Sequence, residues 1–190
     1  MGFLDTLLGR TKPVPPNLDA LFALPSAAIT LQAATDFVPT GTGSVCFREA
    51  EGRAFSDIEK DVRDLLSMGS NTPPVEVSAD SYGYTWLVCT HGSDDIEGLV
   101  TDLHAVNSSL EAGGFGPQLL CTILSFRDSA GRRLGLVYLY KRGTFYPFVP
   151  QSGERRDNAT ELRVRGALGN DLKIEPDLSR WFPVWGAPGL

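Results

Sequence analysis

Histidine is nearly missing from this chain and cysteine is scarce. Two histidines, His91 and His104, are the only side chains suited to neutral-pH proton transfer, and three cysteines, Cys46, Cys89 and Cys121, are the only thiols. The cysteines are odd in number, far apart and set in apolar runs. With no C-x-x-C spacing they read as buried thiols, not as a zinc site or disulfide framework. Also missing are a G-x-S-x-G elbow, an H-E-x-x-H helix, a phosphate loop and a full dinucleotide fingerprint. Gly41-Thr-Gly43 and Gly113-Gly-Phe-Gly116 read as turns. His104 falls in the middle of a helical stripe, where a lone histidine packs rather than ligates. His91-Gly-Ser-Asp94-Asp95 holds potential ligands, but Asp94 and Asp95 are better used as the cap and first turn of the helix that follows. The expectation is therefore no enzyme, no metal and no cofactor, with His91 or His104 as the only bases an enzymatic reading could use.

Long apolar runs are missing too. None approaches the roughly 18 residues a membrane span needs, and the N-terminus lacks the basic start and small-residue cleavage site of a secretory signal. A cytoplasmic protein is expected, with peripheral contact at the inner face of the membrane as the alternative. Basic charge is in deficit, at a net charge of -6, which argues against general nucleic-acid binding.

What is present is 190 residues of ordinary globular composition, enough for one domain with a substantial core. Phe3, Leu4, Leu7 and Leu8 share one helical face, and Pro13, Pro15 and Pro16 then stop the helix. Residues 1–16 thus read as an amphipathic tag and linker that docks on the domain, on a membrane surface or on a partner; residues 17–190 read as one α+β domain. Asn17 caps a short helix to Leu24. Ala28–Ala33 and Ser44–Arg48 read as strands around the turn-rich Pro39–Gly43. Ser56–Glu59 has capping-box spacing for a helix ending near Met68. The order recurs with strands Val75–Ser78 and Tyr82–Thr90 and a helix opened by Asp94 and striped by Ile96, Leu99, Val100, Leu103, Val106 and Leu110. The pattern suggests a mainly antiparallel sheet carrying two strand-strand-helix units. Gln118–Arg127 and Arg132–Lys141, joined by Asp-Ser-Ala-Gly131, give the strongest hairpin signal. Thr144–Val149 is a further strand, and a polar helix from about Arg156 to Leu168 has too few apolar residues for deep burial. The tail, with Trp181 and Trp185, is too apolar to hang free.

Charge is segregated along the chain. Residues 127–165 hold 9 Lys/Arg against 4 Asp/Glu, whereas residues 1–126 hold 6 against 16. Arg127, Arg132, Arg133, Lys141, Arg142, Arg155 and Arg156 are the expected surface for an acidic protein partner, because arginine grips carboxylates bidentately. An alternative gives Tyr138, Tyr140 and Phe145 to the stacking of nucleic-acid bases. Against it stands the plainer reading of the same rings as core of the strands.

Several strings carry a resemblance: Met1–Lys12, Ser81–Trp86, Asp102–Asn107, Gly114–Leu120, Val137–Phe148, Gly153–Asn158 and Arg180–Trp185. Across nearly its whole length the chain resembles PspAB, the PspA-associated protein family of actinobacteria and archaea. The resemblance implies an accessory role in a phage-shock type of envelope stress response, beside the membrane-remodelling protein PspA and an HtpX-like membrane protease. It carries over no catalytic residue, which suits an adaptor.

Overall fold

The computed structural model describes residues 16–48 and 74–190, with Lys60, Val62 and Asp64 between them. The tag residues Phe3, Leu4, Leu7 and Leu8 and most of the helix expected after Ser56 lie outside the described residues. Lys60, Val62 and Asp64 are helical, and Val62 is buried.

Strands that are apolar without alternation need cover on both faces. Here β1 (Val38–Arg48), β2 (Glu76–Ala79), β3 (Tyr84–Thr90), β4 (Leu119–Arg127), β5 (Arg133–Leu139) and β6 (Thr144–Phe148) form one six-stranded sheet. Its order is β2-β3-β1-β4-β5-β6, and every pairing is antiparallel. The fold class is the expected α+β. A short ladder of β7 (Pro150–Gln151) and β8 (Arg155–Arg156) follows.

Among the described residues three complete helices cover one face. They are α1 (Leu24–Thr35), α2 (Ile96–Leu110) and α3 (Asn158–Leu168). The α2 stripe is buried as its spacing predicts, with Leu99, Val100, Leu103, Val106 and Leu110 all in the core. Its cap is Asp95, one residue later than expected: the Asp95 carboxylate accepts from the Gly98 N–H at 3.0 Å. Asp157 caps α3 in the same way through Thr160. The third helix is also deeper than its sparse apolar residues suggested. Thr160, Glu161, Val164 and Leu168 are all buried, because polar side chains satisfied by specific partners can enter a core.

The first expected hairpin is corrected. Ala28–Ala33 lies inside α1, whose Pro25 sits in the first helical turn where proline is favoured, and a turn from Leu18 to Ala23 leads into it. The strand-strand-helix repeat therefore loses a strand in its first half. Pro39–Gly43 is no loop either; it is the irregular start of β1, where the pairing with β4 shifts between Pro39 and Gly43. By length and a mean hydropathy of 1.2, Leu18–Thr35 reaches what a membrane span needs, contrary to the expectation from apolar runs. In the fold its Leu21, Leu24, Ala27 and Leu31 are buried in the core.

The C-terminal tail covers the opposite face, as its composition requires. Trp181 stacks on Tyr146 with centroids 6.0 Å apart, and Trp185 meets Phe148 edge-on at 4.9 Å. The Tyr146 hydroxyl donates to the Phe182 carbonyl at 2.8 Å. The segment before the tail closes the β6 edge, since Phe145 N–H donates to Lys173 O and Glu175 N–H to Phe145 O. A covered edge leaves no free ladder there for another chain.

Candidate functional site: two cationic ends of one sheet

Antiparallel pairing decides where the expected basic surface falls. Arg127 is directly opposite Arg133 at one end of the β4–β5 hairpin, whereas Lys141 and Arg142 lie in the β5–β6 turn, beyond the Cys121 and Leu139 pair at the other end. The spacing of seven strand residues separates these ends by about 20 Å. Arg155 and Arg156 follow β6 back toward the Arg133 end. One stretch of sequence thus makes two separate cationic regions.

Three of these residues are bound within the fold. Buried Asp128 holds the hairpin turn, accepting from Arg132 N–H at 2.8 Å and from Arg132 Nε at 2.6 Å. Burial opposes its ionisation, but the bonds from Arg132 hold its carboxyl below the usual carboxylate range. Arg132 continues to Asp157 at 3.9 Å and to the Thr160 hydroxyl at 3.4 Å, so it joins the hairpin to the start of α3. Arg142 donates to Glu175 at 2.6 and 3.4 Å. Arg156 Nε donates to both oxygens of buried Glu161, at 2.9 and 3.0 Å, and its Nη1 to the Trp181 carbonyl at 2.6 Å. Among the described residues Lys141 and Arg155 donate only to backbone carbonyls. Arg127 and Arg133 are exposed and, among the described residues, have no ion-pair partner. Like charges directly opposite each other on a sheet repel.

The base-stacking role is corrected. Tyr138, Tyr140 and Phe145 are 0%, 4% and 1% exposed, because the sheet is covered on both faces. Tyr138 spends its hydroxyl on the Asn17 carbonyl, and burial pushes both tyrosine hydroxyls up to about 12.

The titratable groups are likewise engaged. Among the described residues no three of His, Cys, Asp and Glu gather as a metal site. All three thiols are free and buried, and burial pushes Cys89 up to about 12. Cys46 and Cys121 face each other in register; the hydrogen bond between them, then burial, hold Cys46 well above an ordinary thiol. His104 packs 4.8 Å from Phe22. His91 is held at both nitrogens, by Asp95 at 2.8 Å and Asp102 at 2.7 Å. Burial alone would depress it, but the two carboxylates raise it above its ordinary 6.5. A group whose pKa rises on folding stabilises fully below its unfolded value and ceases to as pH climbs through the folded one. Urea unfolding should therefore show stability falling as pH climbs above the ordinary histidine value of about 6.5, and H91Q should flatten that fall; an unchanged slope in H91Q would show that the histidine does not contribute.

The tail leaves part of its face open. A groove of about 890 Å³ runs between the sheet and residues 180–185. Cys46, Trp86, Cys121, Leu139 and Tyr146 line its sheet side, and Phe182, Val184 and Trp185 its tail side. Arg48, Lys141, Arg142 and Arg180 also line it, with Asp80 as the acid. The Asp80 carboxylate is turned onto its own loop, accepting from Tyr82 N–H, Tyr84 N–H and the Trp86 indole at 2.8, 3.0 and 2.9 Å. Sequence reasoning missed this groove, because Arg48, Asp80 and Arg180 are remote from one another in the chain. The available signal was the aromatic run Tyr82-Gly-Tyr-Thr-Trp86 beside Asp80.

A family model described as PspA associated protein B matches residues 1–189. The chain belongs to the PspAB family. No curated protein and no solved structure matched it. Within this PspAB member, Arg127 and Arg133 are the exposed pair of the expected surface that faces each other across the hairpin without an ion-pair partner among the described residues.

Proposed function

We propose that the protein is a non-enzymatic accessory partner of PspA, an adaptor acting in the cytoplasm or at the inner face of the membrane in an envelope stress response of the phage-shock type. The family description supports the association with PspA. The non-enzymatic reading is supported by the engagement of His91 between two carboxylates and the burial of every thiol. The observation that carries the partner surface is the unpaired Arg127 and Arg133 facing each other across the hairpin. An acidic partner relieves their mutual repulsion and meets a fork geometry suited to carboxylates. An HtpX-like membrane protease is the second partner this reading admits.

The reading predicts opposite effects on stability and binding. Arg133→Thr removes a like-charge pair and supplies a good strand former, so it should stabilise the isolated protein by about 0.2–1 kcal/mol. The same change should weaken capture of PspA from extracts of the source cells. Unaltered capture together with lower stability would assign Arg133 a packing role and end the proposal for this surface.

A further inference from the structure

We infer that the groove beneath the tail is a binding site for a long-chain carboxylate, with the alkyl chain along the aromatic floor and the carboxylate at Arg48 and Lys141. Its volume of about 890 Å³ falls within the roughly 300–1,000 Å³ of small-molecule sites. Its chemistry is divided as an amphiphile requires. Trp86, Leu139, Tyr146 and Trp185, with the soft sulfurs of Cys46 and Cys121, make the interior apolar. Its charge is mostly cationic in a chain of net charge -6.

The ion pairs decide which cations are available. Arg142 is neutralised by Glu175 and Arg180 by Asp177, while the Asp80 oxygens are taken by the Tyr82 to Trp86 loop. Lys141 meets only a backbone carbonyl, and Arg48 is exposed with no ion-pair partner among the described residues. Among the described residues two positive charges therefore remain uncompensated beside an apolar trough, which favours an anionic head. The chain's own N-terminal segment is a poorer occupant, since residues 1–15 carry Arg10 and Lys12 against Asp5 alone. Phe182 and Trp185 wall one side, so a slender alkyl chain suits the trough better than a partner helix.

The fluorophores report on the site directly, because Trp86 and Trp185 line it and the third tryptophan, Trp181, is buried on the same face. The full-length protein is titrated with cis-parinaric acid, exciting tryptophan and reading energy transfer to the bound polyene. Saturable transfer at one ligand per chain is expected, displaced by palmitate and not by hexadecyltrimethylammonium. Arg48→Gln and Lys141→Gln should each weaken binding about tenfold, and Val184→Trp, which fills the trough, should abolish displaceable binding with an unchanged circular dichroism spectrum. Arg127→Glu with Arg133→Glu, at the other end of the sheet, should leave it unaltered. The inference is overturned by absence of saturable transfer, by equal displacement with the cationic amphiphile, or by indifference to both rim variants. A response confined to anionic phospholipid vesicles would also overturn it, making the face a membrane contact.

Discussion

Replacing Arg156 with alanine is expected to lower the unfolding free energy by about 3–5 kcal/mol, the cost of leaving a buried charge without its partner. Glu161 has a side-chain exposure of 2%, and its carboxylate already serves the Val149 N–H at 2.9 Å. Burial raises its pKa even with the guanidinium in place. Without Arg156 the carboxylate is stranded between the end of β6 and α3. The same change frees the tail, because Arg156 Nη1 holds the Trp181 carbonyl and the guanidinium lies 5.2 Å from the Phe148 ring centre. The deficit should shrink as pH falls, since a stranded Glu161 takes up a proton more readily in the folded state than in the unfolded chain. Urea unfolding at pH 7 and pH 5 measures both effects. A loss under 1 kcal/mol at pH 7 would show that the tail and α3 hold together without this strut.

The second large effect is expected at Gly41. Its φ is 80°, and a Cβ there would stand 2.3 Å from the His91 carbonyl oxygen and 3.2 Å from the Gly92 carbonyl carbon. The contact is backbone against backbone, because the His91 N–H also donates to Gly41 O at 2.9 Å. Gly41→Ala must therefore adopt a left-handed conformation and push the 91–95 loop aside, at a cost of about 3 kcal/mol. Gly131 is the control. Its φ is 81°, but a Cβ there meets nothing within 4 Å, so Gly131→Ala should cost only the conformational part, about 1–2 kcal/mol. Equal losses in the two variants would show that the close approach to His91 is not what fixes glycine at position 41.

Local chemistry was legible in the sequence where it acts over a few residues. The stripe of α2 appears at helical spacing, and the Asp-Ser-Ala-Gly131 turn, with Gly131 at positive φ, joins two strands that pair as expected. The tail's burial followed from its tryptophans. Ala28–Ala33 was misread because Ala-Ile-Thr-Leu-Gln-Ala suits either period, and Pro25, the helix-start signal, lay three residues upstream. Pro39, Gly41 and Gly43 look like a loop, yet in β1 they absorb an irregularity and a close approach to a neighbouring loop.

The site was less legible for a different reason. Whether an arginine is a strut or a free head depends on partners remote in the chain: Glu175 lies 33 residues from Arg142, and the Trp181 carbonyl 25 from Arg156. Charge counting located the basic stretch but not its division between two ends of the sheet. Nor could it separate Arg132 from Arg133, adjacent residues of which one is tied inward and the other unpaired.

Whether the Arg127 and Arg133 end of the sheet is the partner surface is decided by titrating purified PspA into the purified protein. R127E/R133E should lose affinity at least about tenfold while keeping the wild-type circular dichroism spectrum, and the wild-type affinity should fall as salt rises. Wild-type affinity in R127E/R133E, or binding indifferent to salt, would show that PspA does not dock at this end of the sheet.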